Sequence, residues 1–167
     1  MRARELTQAP IRHATSPADI AQARALFEEY AAGLGVDLCF QGFAGELAAL
    51  PGAYAPPRGC LLLAGPPDAA VACVALRPLP GADAANGRVG EVKRLYVRPE
   101  ARGRALGERL VRTLLDVARA AGYRELKLDT LAAMTSARRL YERLGFGECS
   151  PYYRNPLAGV VYMSRLL

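Results

Sequence analysis

The stretch Glu91 to Gly107, EVKRLYVRPEARGRALG, decides how the rest of the chain is read. Val89 to Val97 alternates with a period of two, as a strand does, and ends at Pro99. On one face that pattern predicts Val89, Glu91, Lys93, Leu95 and Val97 together. A turn rich in glycine and arginine follows, and then an amphipathic helix. Leu106, Leu110, Val111, Leu114, Val117, Ala118 and Ala121 form its apolar face, and Gly122 stops it. The first turn of such a helix leaves backbone N–H groups unpaired and carries a partial positive charge. A strand, a tight turn and a helix N-terminus together can hold a phosphate without a base or a metal. Gly103, Gly107 and the small Ala105 let a ligand approach the backbone, with Arg98, Arg102 and Arg104 nearby. From 98 to 119 six arginines face three acids, a local excess of +3. The turn is neither a Walker A loop, since no Gly-Lys-Ser/Thr follows, nor a dinucleotide fingerprint, since GxGxxG is absent.

Outward from this segment the chain reads as alternating strands and helices. Upstream, Ile11 to Ala14 is a short strand, and Ser16-Pro17 opens a helix with Ser16 as cap. That helix carries Ile20, Ala23, Phe27, Tyr30 and Leu34 on one face. Phe43 to Leu50 is a shorter helix. Cys60 to Ala64 and Ala69 to Leu76 are buried strands joined through the turn GPPD. Downstream come a strand at Glu125 to Thr130, a helix at Ala133 to Leu144 and a short strand at Phe146 to Cys149. The loop Ser150 to Gly159 and a last strand, Val160 to Leu166, end the chain. The order predicts one mixed α/β domain over residues 1–167, with parallel neighbours where a helix crosses over.

Composition narrows the classes. With 167 residues, 51% hydrophobic and 23% charged, the chain suits one domain with a real core. The longest apolar run, Ala69 to Leu76, is far short of the roughly twenty residues that span a bilayer. No secretory h-region follows the basic start MRARELTQAP, and Glu5 and Asp19 argue against a mitochondrial address. The net charge of +6 suits an anionic partner without choosing among phosphate, nucleotide cofactor and nucleic acid. No nucleic-acid recognition motif is present. Cys39, Cys60, Cys73 and Cys149 form no CxxC pair and read as reduced thiols in a cytoplasmic protein. One histidine, His13, excludes a His-rich metal site, so no metal is expected.

Two segments then resemble one family. Arg102-Gly103-Arg104-Ala105-Leu106-Gly107 is similar to the Gln/Arg-x-x-Gly-x-Gly/Ala motif of the GNAT N-acetyltransferases, with Ala105 where glycine is usual. Ala137 to Phe146, ARRLYERLGF, is similar to the family's A-x-x-[LF]-Y-x-x-x-G-F, with Met134 where an asparagine is common. The resemblance implies a mostly antiparallel sheet with a splayed centre, helices on both faces, and acetyl-CoA as cosubstrate. It implies pyrophosphate contacts at Arg102 to Gly107 and pantetheine contacts at Leu95, Tyr96, Val97, Met134 and Ala137. It places the Tyr141 hydroxyl at the sulfur as general acid, where the residue pattern alone gives a core aromatic. Glu91 matches the offset of a family base, and a salt bridge with Lys93, Arg94 or a neighbouring arginine is the other reading. The acceptor is expected near Tyr30, Tyr152, Tyr153 and Asn155; a plain loop or a homodimer contact is the alternative use of residues 152–155. The expected activity is acetylation of a small-molecule primary amine. Acetylation of a protein lysine or N-terminus, and a non-catalytic CoA-binding module, stand as alternatives. No nucleic-acid or membrane partner is expected.

Overall fold

The computed structural model describes residues 9–81 and 87–167, apart from the Phe40 side chain. The first eight residues, read above for a targeting signal, and 82–86 of the loop before the central strand lie outside the described residues. Seven strands form one sheet: β1 (Ile11–His13), β2 (Cys60–Ala64), β3 (Ala72–Pro78), β4 (Val89–Val97), β5 (Glu125–Leu131), β6 (Gly147–Glu148) and β7 (Val160–Leu166). The helices are α1 (Pro17–Leu34), α2 (Phe43–Ala49), α3 (Leu106–Ala120) and α4 (Thr135–Arg143). At the start of α1, Ser16 and Asp19 make a reciprocal capping box with Pro17 as the first helical residue.

The strand order is β1-β2-β3-β4-β5-β7-β6, and only β4 and β5 run parallel. The expectation of parallel neighbours at both crossovers is corrected here. α3 carries β4 to a parallel β5, but β7 inserts between β5 and β6, so the second crossover makes no parallel pair. One face of the sheet packs on α3 and α4 through Leu62, Val74, Val92, Leu110, Leu114 and Leu144. The other packs on α1 and α2 through Ala23, Phe27, Leu61, Leu63 and Cys73. Helices therefore cover both faces.

The centre of the sheet is splayed. β4 and β5 pair only at Val89↔Glu125, Gly90↔Leu126 and Glu91↔Lys127, after which they part. Gly90 lets them start close: a Cβ there would lie 2.8 Å from Leu126 Cδ2 and 3.0 Å from Leu76 Cδ1. Opposite the gap, β4 carries a bulge. Cys73 faces Tyr96 and Ala75 faces Lys93, so β4 holds one extra residue across from Val74. The extra residue is at Arg94, whose φ is +57°, a left-handed conformation that a side chain adopts at a cost.

The bulge overturns the single face predicted for β4. Val92, Leu95 and Val97 pack with the α3 side of the core, whereas Tyr96 packs with the α1 side. Glu91 and Lys93 pair with Arg77 and Ala75 and turn toward α1 and α2 with Tyr96. Glu91 therefore does not share a face with Leu95 and Val97. A strict alternation fails wherever one extra residue enters a strand, and no glycine marks this bulge.

All four cysteines are free. Burial pushes the Cys60 thiol up to about 12, as expected of a thiol that serves as a small hydrophobe.

Candidate active site

Where β4 and β5 part, a cleft opens. Leu95 lines one wall, and Met134, Ala137 and Tyr141 line the other. Tyr30, Gln41 and Asn155 close its far end. The structure thus brings Leu95, Met134, Ala137, Tyr141, Tyr30 and Asn155 to one cleft. Past Glu91 the edge of β4 that faces β5 has no strand partner; with Arg98 N–H bonded to the Val71 carbonyl and Tyr96 paired with Cys73, the backbone of Tyr96 belongs to the β3 ladder and that of Leu95 and Val97 lies on the edge toward the gap. The Val97 carbonyl accepts from Arg102 Nε at 3.0 Å, so Arg102 is fixed at the end of the strand.

The turn beyond β4 leads into α3. Gly103 (φ +73°) and Ala105 (φ +55°) are both left-handed, and Ala105 is the N-cap of α3 with no side-chain hydrogen bond to the helix. A Cβ on Gly107 would sit 3.7 Å from Val97 Cγ2 and 3.9 Å from Leu140 Cδ1, so the helix start abuts the end of β4 and α4. This is an uncapped helix N-terminus with small residues in front of it, beside the end of β4 and α4. Arg98 is not part of it: its guanidinium is paired with Glu29 at 2.6 Å. Glu108 holds Arg112 at 2.8 Å along α3.

Tyr141 is buried, and its ring meets Phe146 edge-on at 5.6 Å. Its hydroxyl hydrogen-bonds to no described residue. Burial, with the Tyr30 and Asp129 charges adding to it, raises its pKa, so the phenol keeps its proton at neutral pH. Met134, where the family often has asparagine, lines the cleft with a thioether that accepts from Thr130 Oγ1 at 3.8 Å.

The polar end holds a network whose parts no sequence period brought together. Lys93 Nζ lies 3.1 Å from Asp129 Oδ1 and 3.6 Å from Glu91 Oε1. Asp129 Oδ2 accepts from the Tyr153 hydroxyl at 2.7 Å and from Asn155 Nδ2 at 2.9 Å. Arg94 pairs with both oxygens of Glu46, at 3.0 and 2.6 Å, and donates to Gln41 Oε1 at 2.9 Å. Gln41 Nε2 donates in turn to the Tyr153 hydroxyl at 3.2 Å, a bond across 112 residues that joins the loop after β6 to the segment before α2. Glu91 stands behind this end. Arg77 holds it at 2.7 Å, the Tyr152 hydroxyl donates to it at 3.0 Å, and it does not line the cleft. Tyr152 and Tyr153 pack edge-on around Tyr162 and act through these hydroxyl bonds rather than as cleft walls.

Two carboxyls of the network sit below their ordinary range. Burial pushes Asp129 up, but the Lys93 charge and hydrogen bonds from Tyr153, Lys93 and Asn155 outweigh it. Glu46 is likewise pushed up by burial and pulled lower by Arg94 and by Tyr54, whose hydroxyl donates to it. A depressed carboxyl stabilises the fold fully above its unfolded value, about 4 for these types, and loses that contribution as the pH falls through its folded value. Glu46→Gln leaves the buried Arg94 cation uncompensated. It should cost about 3 kcal/mol, or roughly 10 °C in Tm for a chain of this length, and flatten the acid side of the stability profile. Urea melts at pH 7 and pH 3.5 check both; an unchanged midpoint at pH 7 contradicts the ion-pair assignment.

Among the described residues no helix is long and apolar enough to cross a membrane, and no group of three His, Cys, Asp or Glu side chains is placed to hold a metal ion. The model of the acetyltransferase (GNAT) family matches residues 23–146. An uncharacterised N-acetyltransferase of Schizosaccharomyces pombe is 41% identical over 148 residues, 88% of each chain. The crystal structure of an acetyltransferase from Streptococcus agalactiae superposes with a TM-score of 0.75 at 21% identity, covering 95% of this chain and 98% of that one. YncA of Salmonella typhimurium, solved with its cofactor acetyl-CoA, superposes with a TM-score of 0.67 at 21% identity, covering 95% and 93%.

Proposed function

The chain belongs to the GNAT acetyltransferase family, and from that premise we propose that it transfers the acetyl group of acetyl-CoA to the primary amine of a small molecule by direct attack. The cosubstrate supplies the thioester. The residues present suit it: an uncapped α3 N-terminus with small residues at 103, 105 and 107 for a pyrophosphate, and an unpartnered β4 edge at Leu95 and Val97 for an amide-bearing arm. Arg102 and Arg104 add positive charge beside that turn, and Met134 and Ala137 offer an apolar wall.

Tyr141 is the proposed general acid. Its hydroxyl retains its proton, its side chain lines the cleft, and no described residue competes for that proton. For the carboxylate that meets the acceptor we propose Asp129 in place of Glu91, because Asp129 lines the cleft and Glu91 is enclosed by Arg77, Lys93 and Tyr152. Asp129 stays ionised at neutral pH, so it attracts an ammonium group and orients the nitrogen. The proton that the amine must lose before attack then leaves by solvent, and kcat/KM should rise with pH toward the pKa of the acceptor amine.

The Gln41–Tyr153 bond carries the choice of a small acceptor. It ties the two segments that flank the far end of the cleft, which disfavours an extended peptide running past that end. Thioester consumption with purified protein, read against free amines and against lysine peptides, tests this. Turnover with free amines is expected; turnover of peptides alone would reverse the choice.

A further inference from the structure

The polar end of the cleft has an imbalance that points to the kind of amine it takes. Three charged side chains line it: Lys93, Arg94 and Asp129, two cations and one anion. The carboxylates that balance the cations, Glu46 and Glu91, sit behind them and do not line the cleft. The β4 bulge makes this possible. In a regular strand Lys93 and Arg94 would point to opposite faces; with Arg94 left-handed, both turn to the same one.

Hydrogen-bonding capacity leans the same way. Of the five donors of a guanidinium, Arg94 spends three on Glu46 and Gln41, and the Tyr30 hydroxyl competes for a fourth. Lys93 has three donors and two carboxylate neighbours. Asp129 already accepts from Lys93, Tyr153 and Asn155, which leaves it room for about one more donor. The charged side chains of the cleft therefore offer more donors than acceptors, and both cations are over nine-tenths buried. Each of these nitrogens already has one partner, and the protons that remain suit an acceptor-rich guest.

Resting on the function proposed above, we propose that the acceptor is a small zwitterion, a primary amine with a carboxylate on the same molecule, as in a free amino acid. Its ammonium group takes the remaining place on Asp129, and its carboxylate takes the spare donors of Lys93 and Arg94. A polyamine or a plain alkylamine brings only donors to a site that is short of acceptors.

The test compares each of a set of free amino acids with its methyl ester, which keeps the amine and removes the anion. The rate of CoA release gives kcat/KM for each pair. The acid should exceed its ester on the order of 100-fold, the scale of hydrogen bonds from charged donors to a carboxylate. In Lys93→Gln the acid-to-ester ratio of kcat/KM should fall on the order of 10-fold, a change that general loss of structure, which lowers both alike, would not give. Esters, alkylamines or polyamines turned over as well as the acids would overturn the zwitterion and leave acetylation of small amines standing. Turnover of lysine peptides alone, or of no amine at all, would overturn both.

Discussion

Replacing Tyr141 with phenylalanine should lower kcat by about 10²–10⁴-fold, the range for removing a positioned acid, with acetyl-CoA binding nearly unchanged. The ring stays, and with it the edge-on contact to Phe146 and the packing beside Leu144. Only the hydroxyl goes, and that hydroxyl has no described hydrogen-bond partner whose loss would disturb the fold. The proton it donates is one that burial holds on the phenol at neutral pH. A loss confined to kcat identifies an interaction made as the thiolate departs. Steady-state kinetics with a pre-steady-state measurement of the chemical step check this. Near-normal kcat with chemistry rate-limiting would return Tyr141 to the core.

The second large effect is expected at Ala105. Ala105→Glu places a carboxylate at the N-cap of α3, in front of the amides proposed to hold the pyrophosphate. The backbone is already left-handed there with a Cβ in place, so the exchange adds charge and bulk without new backbone demands. For the wild type at 100 times Kd, acetyl-CoA should stabilise the fold by about 2.7 kcal/mol, or roughly 5–10 °C in Tm. In Ala105→Glu the shift should fall below about 1 °C at the same concentration, while the melting temperature of the free protein changes little. A shift equal to that of the wild type would move the phosphate site elsewhere.

How much of this could be read from residue order differs by element, and the reasons are physical. β4, its turn and α3 were legible because each carries its own local signal: a period of two, a pair of glycines, and an apolar stripe of period 3.6. The Ser16-Pro17 cap was legible for the same reason and is made as expected. The splay was implied by family resemblance, and the register of β4 against β5 shows it. The Arg94 bulge was not legible, since arginine carries no mark of a left-handed backbone. The face of β4 was misassigned as a result.

Asp129 was missed because ELKLDTL alternates regularly, which marks a charged face without saying what covers it. That face is half-buried in fact, covered by the residues 150–159 loop and by the segment before α2. Covers of that kind come from contacts 24, 26 and 112 residues apart in the chain, which no local period records. Tyr153 and Asn155 were singled out as acceptor-side residues, but their tie to Asp129 was visible only in three dimensions. Lys93, placed on the β4 face and weighed as a salt-bridge partner for Glu91, bridges Glu91 and Asp129, with Asp129 the nearer.

Loss of thioester alone does not separate hydrolysis from transfer, so the fate of the acetyl group is the most direct measure of the account. Purified protein with acetyl-CoA labelled in the acetyl carbon, a mixture of free amino acids and amines, and a lysine peptide gives the answer by mass spectrometry. The account predicts label in an amide bond on a free small amine, in step with CoA released, and absent when Tyr141→Phe is used over the same interval. Label recovered as acetate, on the peptide alone, or still on CoA would contradict it.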